Sequence, residues 1–289
     1  MKNPLRSDYH TGVILLVLSA ITFSTAGLFT KGVEAGAWDI IFWRGLFAAA
    51  FTTFWCLRAR SFRRNTTGIG APGLAVGLVG ALGTAAFIPA FKLTSIANVA
   101  LIYAASPLIA AALAWLAIGE KTSARTMAGS LFALAGVAVI MSGSLGSLNI
   151  EGDLLALWMT CAMAAIMVIY RKYPDTPTPG PAVLQSLLLL PVALLIGSPF
   201  AIATGEILIL AGFGLLFAIA SVTLAEGAKR VSSAQTALLS SLETPLAPLF
   251  AFLLFTEVPS SATVLGGTII FLAVLLSIQR RSRTLAAHS

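Results

Sequence analysis

An acidic residue in the middle of an apolar stretch is the side chain with the most distinctive chemistry in this sequence. Glu243 follows Thr236 and Ser240 at positions i, i+4 and i+7, so the three side chains form one polar stripe along a helix. A carboxyl group in apolar surroundings must be protonated, hydrogen-bonded to its neighbours or in contact with water. Glu243 therefore either binds a substrate or a proton, or is a neutral group that a nearby hydroxyl or free backbone carbonyl stabilises. The sequence leaves both interpretations open.

Arg44 is a basic residue within another apolar stretch, where it follows Trp43. A charge at such a position is a candidate for substrate binding, because an isolated charge is costly in an apolar environment. If the stretch spans a membrane, an arginine can also extend its guanidinium group to the membrane–water interface, where a neighbouring aromatic side chain acts as an anchor. Binding of an anionic group and anchoring at a boundary both stay open for this residue.

Aromatic and hydroxyl side chains provide further candidate binding residues. Trp158 and Cys161 share one face of an apolar stretch. They lie near its middle, whereas tryptophan in membrane proteins is usually found at the membrane–water interface. The indole N–H then needs a partner or water, which predicts that Trp158 faces a cavity, with packing in the core or against lipid as the alternative. Hydroxyls in such stretches either line a cavity or bond to their own helix. The other candidates are Ser24, Thr84, Phe87, Tyr103 and Thr223.

The composition indicates that these residues lie in a membrane protein. Hydrophobic residues make up 58% of the 289 residues and charged residues 10%, whereas soluble domains carry about 25% charged residues. A membrane-spanning helix needs about 20 apolar residues. Ten such runs occur, at residues 12–30, 38–57, 72–91, 95–118, 124–142, 153–170, 182–202, 206–228, 232–255 and 262–279. We therefore predict an all-α integral membrane protein with ten transmembrane helices and little room for a soluble domain.

The distribution of basic residues predicts how the ten spans are oriented. Lysine and arginine near the ends of spans stay on the cytoplasmic side. If the N-terminus is cytoplasmic, that side receives fifteen of the 18 basic residues: Lys2, Arg6, Arg58, Arg60, Arg63, Arg64, Lys121, Arg125, Arg171, Lys172, Lys229, Arg230, Arg280, Arg281 and Arg283. The outer side then has Lys31 and Lys92, and Arg44 lies within the second span. This asymmetry predicts a multi-pass membrane protein with both termini in the cytoplasm, and it accounts for the net charge of +7 without a nucleic-acid partner.

The chain contains an internal repeat. An apolar segment that begins on a basic residue and has a proline near its middle occurs at residues 92–121 and again at residues 229–257. Each half of the chain then contains five spans, an odd number, so the second half enters the membrane from the opposite side. We predict two inverted five-helix repeats, residues 1–146 and residues 147–289, with a substrate site between them at mid-membrane depth.

The prolines of the repeat mark two candidate hinges. A shift of 138 residues places Ser106 and Pro107 on Thr244 and Pro245. A proline within a span removes one backbone hydrogen bond and bends the helix. Because the bend recurs at the matching position of each half, we predict that Pro107 and Pro245 are mechanical hinges of the fourth and ninth spans.

Nothing in the sequence suggests catalysis or a bound cofactor. His10 and His288 lie in the terminal tails, and Cys56 and Cys161 lie in separate spans without metal-ligand spacing. The chain lacks a glycine-rich phosphate loop, a His-Glu-x-x-His motif and a pair of aspartates within the spans. We therefore predict a protein that is not an enzyme and that has no cofactor or metal.

Three segments resemble a known transporter family. They are WRGLFAA at residues 43–49, ASPLIAAALAWLAIGEK at residues 105–121 and GSLFALAGVAVI at residues 129–140. Together with ten spans in two halves, they resemble the EamA-type repeat of the drug/metabolite transporter superfamily over the whole chain. Within that superfamily they resemble the bacterial inner-membrane exporters of aromatic and other amino acids, which implies a location in the inner membrane. The second half departs from the pattern, since Thr256, Glu257 and Val258 replace Gly-Glu-Lys.

The resemblance implies a central cavity. In this family the cavity is lined by spans 1, 3, 4, 6, 8 and 9, opens alternately to each side and has no ATP site. Carried over to this chain, the resemblance implies that Tyr103, Trp158 and Glu243 contribute to the lining.

The resulting hypothesis is a secondary transporter that exports small amphipathic metabolites, above all amino acids including aromatic ones. Trp158, Tyr103 and Phe87 would stack on the substrate side chain, while the hydroxyls and Arg44 would bind its charged groups. A multidrug or nucleotide-sugar carrier is the alternative, although a phosphate-bearing substrate would need more cations than Arg44. A membrane-embedded enzyme or a lipid flippase is a further alternative. The expected partners are a small-molecule substrate and the lipid bilayer, and both proton exchange through Glu243 and facilitated diffusion stay open.

Overall fold

Helices form almost the whole of the part of the chain that the structure describes. The computed structural model describes residues 4–25, 29, 33–59, 62–66, 68–93, 96–141, 150–255 and 260–278. The helices are α1 (Pro4–Ser24), α2 (Ala37–Arg58), α3 (Phe62–Thr66), α4 (Gly70–Leu93), α5 (Ile96–Tyr103), α6 (Ser106–Ile118), α7 (Ala124–Met141), α8 (Ile150–Lys172), α9 (Pro179–Ile196), α10 (Thr204–Ala228), α11 (Ser233–Ser240), α12 (Glu243–Phe255) and α13 (Ser261–Ile278). A 3-10 turn, Pro199–Ala201, follows α9.

These helices form ten apolar segments in the predicted order. In the described part of the chain, seven stretches are long and apolar enough to cross a membrane, namely α2, Gly70–Phe87 of α4, Leu101–Ile118, α8, α9, α10 and α13. The apolar stretches of α1 and α7 are shorter, Asp8–Ser24 and Ala124–Ile140. The fourth segment consists of α5 and α6 and the ninth of α11 and α12, while the short helix α3 lies in the connection between the second and third segments.

The main helix contacts join the two halves of the chain. Segment 1 packs on segment 8 (α1 on α10), 2 on 7 (α2 on α9), 3 on 6 (α4 on α8) and 5 on 10 (α7 on α13). The two halves are related by a shift of five segments, so that segment 1 corresponds to segment 6 and segment 3 to segment 8. Under this correspondence the 1–8 pair becomes the 6–3 pair, and the 2–7 and 5–10 pairs become themselves. An internal two-fold axis between inverted repeats produces this pattern. The predicted boundary between residues 146 and 147 lies outside the described residues.

The fourth and ninth segments are interrupted at matching positions. Two residues separate α5 from α6, and two residues separate α11 from α12. Short bonds of the 3-10 type cross both interruptions. In the fourth segment the Ala105 N–H donates to the Ile102 oxygen (3.1 Å), and in the ninth the Leu242 N–H donates to the Leu239 oxygen (3.2 Å). The backbone therefore bends at both places while most of its hydrogen bonds are kept.

Proline follows each interruption. Pro107 is the second residue of α6, and Pro245 is the third residue of α12. The first turn of a helix tolerates proline, because the missing N–H has no partner within the helix there. The structure therefore interrupts each segment beside the repeat proline, and the hinge function of Pro107 and Pro245 stays a prediction.

The interrupted segments contact each other at one face of the bundle. α6 packs on α11 at the face where Arg171, Lys172, Lys229 and Arg230 lie, which we call the basic face. The corresponding pair at the opposite face, α5 and α12, has no comparable contact among the described residues. Among the described residues, the two interrupted segments thus close the bundle at the basic face and pack less closely at the other.

Glycine allows a very close contact between the halves. α7 crosses α13 where Gly136 faces Gly266, and a Cβ atom at position 136 would lie 2.8 Å from the Gly266 oxygen and 2.9 Å from Cγ1 of Ile270. A Cβ atom at position 266 would in turn meet the Gly136 oxygen. Both positions therefore require glycine for the two backbones to approach each other.

Gly136→Leu should destabilise the folded bundle, because the added side chain must displace the α13 backbone. Overpacking of a close contact costs about 1–3 kcal/mol. We expect a lower midpoint of thermal unfolding in detergent, measured by the loss of the monodisperse peak in size-exclusion chromatography. Gly205→Leu is the matched control, because a Cβ atom there meets nothing within 4 Å. A Gly136→Leu variant as stable as this control would contradict the described packing.

Candidate functional site

The two interruptions bring one side chain from each half together. Tyr103 is the last residue of α5, and Glu243 is the first residue of α12. Their phenol and carboxyl groups are hydrogen-bonded to each other. Each residue is near the middle of its segment, so this contact lies at mid-depth in the bundle. The acid that forms the end of the predicted polar stripe is therefore hydrogen-bonded, and its partner belongs to the other half of the chain.

Apolar side chains from α4, α5 and α8 pack around the phenol ring. Phe87 and Tyr103 contact the same buried cluster, which consists of Ala86, Ala90, Val99, Ala156 and Met159. One side of the Tyr103–Glu243 contact is thus aromatic and apolar. An apolar surface beside a few oriented polar groups is the usual composition of a small-molecule site.

Trp158 lies on an exposed side of α8. Its side chain is 54% exposed, whereas the neighbouring Met159 is only 4% exposed and belongs to the buried cluster. The indole N–H of Trp158 has no hydrogen-bond partner among the described residues. The structure therefore argues against core packing for this residue, and its position in a cavity stays a prediction.

Most of the predicted hydroxyls donate to their own helix. The bonds are Ser24 Oγ to the Ile21 oxygen (2.6 Å), Thr223 Oγ1 to the Ile219 oxygen (2.8 Å) and Ser240 Oγ to the Thr236 oxygen (3.0 Å). This is common behaviour for hydroxyls in membrane helices, and each oxygen keeps a lone pair that can accept another bond. Thr84 differs, since its Oγ1 accepts a 3.0 Å bond from Nε2 of Gln185, which connects α4 to α9.

Two buried hydroxyls near the interruptions have no hydrogen-bond partner among the described residues. They are Ser106 Oγ, at the start of α6, and Thr236 Oγ1, one turn before Ser240 on α11. Buried polar groups usually have a partner, so these hydroxyls mark places where a ligand or water can bind. Thr236 belongs to the predicted polar stripe, whereas Ser106 is absent from the predicted binding residues. Its alignment with Thr244, beside the acid, is the sequence signal that points to it.

Arg44 is buried against aromatic rings. The residue is 5% exposed, and its guanidinium carbon lies 4.2 Å from the ring centroid of Phe217 and 5.4 Å from that of Phe213. Such cation–π contacts stabilise a cation that is shielded from water. Among the described residues, Nε of Arg44 has no hydrogen-bond partner. Arg44 therefore does not extend to a polar boundary; Trp43 lies there instead, and its indole N–H donates to the Pro199 oxygen (2.7 Å).

A cavity of about 320 Å³ opens at the face opposite the basic face. Glu34, Asp39 and Glu206 line it, but two of these carboxylates hold backbone groups in place. Glu206 Oε1 accepts from the Glu34 N–H (2.6 Å), and Asp39 Oδ1 accepts from the Ser198 N–H (2.7 Å). No group of three acidic, histidine or cysteine side chains in the described part of the chain could hold a metal ion. Glu206 and Asp39 therefore serve the connections between segments.

Comparisons with known proteins agree with this architecture. The model of the EamA-like transporter family matches residues 10–142 and 150–279. A protein from Mus musculus named solute carrier family 35 member G1 is 31% identical over 184 residues, which are 56% of this chain and 47% of that protein. The chain thus spans about half the length of this relative. A crystal structure of another protein superimposes with a TM-score of 0.81 at 20% identity, over 95% of this chain and 99% of that chain, which shows a common fold.

The family match covers most of both halves of the chain. The predicted fold class, an all-α membrane protein with ten transmembrane helices in two inverted five-helix repeats, is confirmed, as is the prediction that the chain is not an enzyme. The chain belongs to the EamA-like transporter family, and its fold is that of a multi-pass membrane protein.

Proposed function

We propose that this transporter exports small amphipathic metabolites, above all amino acids including aromatic ones, by alternating access through a central cavity. The observation that carries the proposal is the Tyr103–Glu243 hydrogen bond, which joins the two halves at the interruptions of the fourth and ninth segments. A substrate that binds Glu243 competes with Tyr103 for the carboxyl group. Substrate binding and the contact between the halves are then linked, as alternating access requires.

In our proposal the basic face lies in the cytoplasm, both termini are cytoplasmic, and the bilayer is the inner membrane of the cell. The predicted position of fifteen of the 18 basic residues on that side supports this orientation. The contact of α6 with α11 then closes the cytoplasmic side, and the separation of α5 from α12 opens the cavity to the outside. For an exporter, this is the state that releases substrate.

The groups beside the interruptions match a zwitterionic amino acid. Glu243 supplies a carboxyl group for the substrate ammonium, and Phe87 and the Tyr103 ring supply apolar surface for its side chain. The hydroxyls of Ser106 and Thr236, which have no hydrogen-bond partner in the described part of the chain, can donate to the substrate carboxylate. This arrangement separates the acceptor for the amine from the donors for the carboxylate, which distinguishes an amino acid from a purely apolar drug.

The remaining predicted residues have supporting functions in this proposal. Arg44 provides positive charge for the substrate carboxylate, and Trp158 stacks on aromatic side chains from the exposed side of α8. Acceptor oxygens come from Ser24, Thr84, Thr223 and Ser240. A nucleotide-sugar carrier ranks lower, because a phosphate-bearing substrate requires several cations and Arg44 is the cation that the sequence places within a span.

Trp158→Ala should impair efflux of labelled aromatic amino acids from loaded proteoliposomes. Loss of a stacking partner worth about 0.5–1.5 kcal/mol raises the substrate concentration for half-maximal flux by about two- to tenfold. Trp115→Ala is the matched control, because Trp115 is also exposed (62%) but lies on α6 near the basic face. Equal flux in the two variants, both correctly inserted, would remove Trp158 from the binding site.

Glu243→Gln should abolish most amino-acid flux while the protein still folds. Glutamine has the same shape and can still bond to Tyr103, but it cannot carry the negative charge that the substrate ammonium needs. Tyr103→Phe should retain partial flux, since it keeps the ring and removes only the hydroxyl. Glu151→Gln, an exposed acid at the start of α8, is the control. Normal flux in Glu243→Gln would exclude a substrate-binding carboxylate there.

A pH gradient tests how the transport is driven. We expect an acidic outside solution to drive uphill efflux, because a proton and the substrate ammonium compete for the same Glu243 carboxyl group and exchange across the membrane. Glu243→Gln should lose this response at any residual flux. Wild-type flux that only follows the substrate gradient, at every imposed pH difference, would instead establish facilitated diffusion.

A further inference from the structure

We infer that Glu120 closes the basic face by joining the first half of the chain to the second, and that this contact opens whenever the cavity faces that side. The contact consists of the Glu120 carboxylate, the Arg171 guanidinium group and the backbone N–H of Ser233, and we call it the latch. The inference rests on the alternating access proposed above. It assigns a conformational function to the Glu120 carboxylate. This group follows the end of α6 that is farther from the interruption of the fourth segment.

The end of α6 holds Glu120 in place. Gly119 adopts a left-handed conformation with φ of +65°, which glycine tolerates without strain. The Gly119 N–H donates to the Trp115 oxygen (3.0 Å), and the Glu120 N–H donates to the Ala114 oxygen (3.2 Å). The Gly119 bond is that of an αL cap, which ends the helix and determines the direction of the chain beyond it. The Glu120 backbone is therefore tied to α6.

The carboxylate of Glu120 connects α6 to two elements of the second half. Its Oε2 accepts from Nε of Arg171 (3.0 Å), at the end of α8, and its Oε1 accepts from the N–H of Ser233 (3.1 Å), at the start of α11. The side chains of Glu120 and Arg171 are 17% and 32% exposed, so water screens the pair only in part. Nη1 of Arg171 also donates to the Lys229 oxygen (3.3 Å), next to the end of α10.

Glu120 also caps α11. Ser232 occupies the N-cap position of this helix but forms no side-chain capping bond. The first N–H groups of a helix need an acceptor, and their partial positive charge favours a carboxylate. Glu120 supplies this acceptor from another segment. Opening the latch therefore leaves a helix start without its acceptor as well as Arg171 without its ion-pair partner.

The latch joins α6 to α11, the two helices that must separate when the basic face opens. α6 and α11 pack together at the basic face, and access to the cavity from that face requires their separation. Nζ of Lys172 donates to the Ala117 oxygen (3.3 Å), which is another bond between α8 and the end of α6. The latch is therefore intact in the state described here and broken in a state that is open at the basic face.

Glu226 provides a comparison at the same face. Its carboxylate pairs with Lys229 (2.9 Å) and Arg230 (2.7 Å), three and four residues further along the chain, and accepts from Oγ1 of Thr178 (3.0 Å). All of these groups belong to the second half, so separation of α6 from α11 leaves their bonds intact. Removal of the Glu226 charge should not change which side of the transporter is open.

The reactivity of a single cysteine tests the latch. The reporter is Ser233→Cys in a Cys56→Ala, Cys161→Ala background. Residue 233 is 0% exposed, its hydroxyl has no partner among the described residues, and the substitution keeps the backbone N–H. A membrane-impermeant methanethiosulfonate reagent is applied to proteoliposomes that have the basic face outside, and the labelling rate is measured.

Glu120→Gln and Arg171→Gln, each added to the reporter, should raise the labelling rate by about five- to tenfold, because a charge-assisted contact that favours the closed face is lost. The double variant should behave like either single variant, since both substitutions remove the same contact. Glu226→Gln is the matched control and should be labelled at the rate of the reporter alone.

Labelling of Glu120→Gln at the reporter rate would overturn the latch. An equal gain in Glu226→Gln would overturn it too, because it would indicate general loosening of this face. If Glu120→Gln does not yield monodisperse protein, Arg171→Gln decides by the same criterion. Amino-acid flux in the same vesicles separates the two proposals: faster labelling without amino-acid transport supports the latch and contradicts the proposed substrates, whereas transport with unchanged labelling contradicts the latch alone.

Discussion

The hydrocarbon of a bilayer offers no hydrogen bonds, and this constraint accounts for most of the structure. Every segment therefore satisfies its backbone within a helix. The two interruptions are tolerated because 3-10 bonds cross them and because the bundle provides partners, as Tyr103 and Glu243 do for each other. The same constraint places the Arg44 guanidinium group against aromatic rings. Polar chemistry is accordingly concentrated where the two halves meet.

The helix pairs are symmetric, and the asymmetry of the interrupted segments defines the conformation. The pairs 1–8 and 3–6 are equivalent under the internal two-fold, and they can keep the halves together while the fourth and ninth segments change their contacts. Those two segments pack together at the basic face. At the other face, the described residues show no comparable contact between them. Glu243 lies at mid-depth and Glu120 at the closed face, so both acids bridge the halves along the line where separation occurs.

Hydropathy predicts the ten segments well, because the thickness of the bilayer sets a minimum length for each apolar run. The repeat prolines also predict where the fourth and ninth segments are interrupted, since that effect is local to the backbone. The sequence does not predict contacts between residues that are far apart in the chain. The neighbouring Trp43 suggests a boundary position for Arg44, but Phe213 and Phe217 from another segment hold it inside the bundle. The repeat alignment points to Ser106, but the sequence does not show that its hydroxyl has no partner among the described residues, because that depends on how the helices pack around it.

The sequence by itself determined the class of protein, the number of segments and the inverted duplication, and it indicated the acid on which the proposed site is centred, because each of these follows from apolar length, charge distribution or repeat spacing. Only the tertiary structure decided that Tyr103 is the partner of Glu243, that Glu120 caps a helix of the opposite half and that one face is closed. These facts depend on the rotation of each helix about its axis and on contacts between segments far apart in the chain. Hydrophobic patterns fix neither, since most of these helices are apolar on nearly all of their sides.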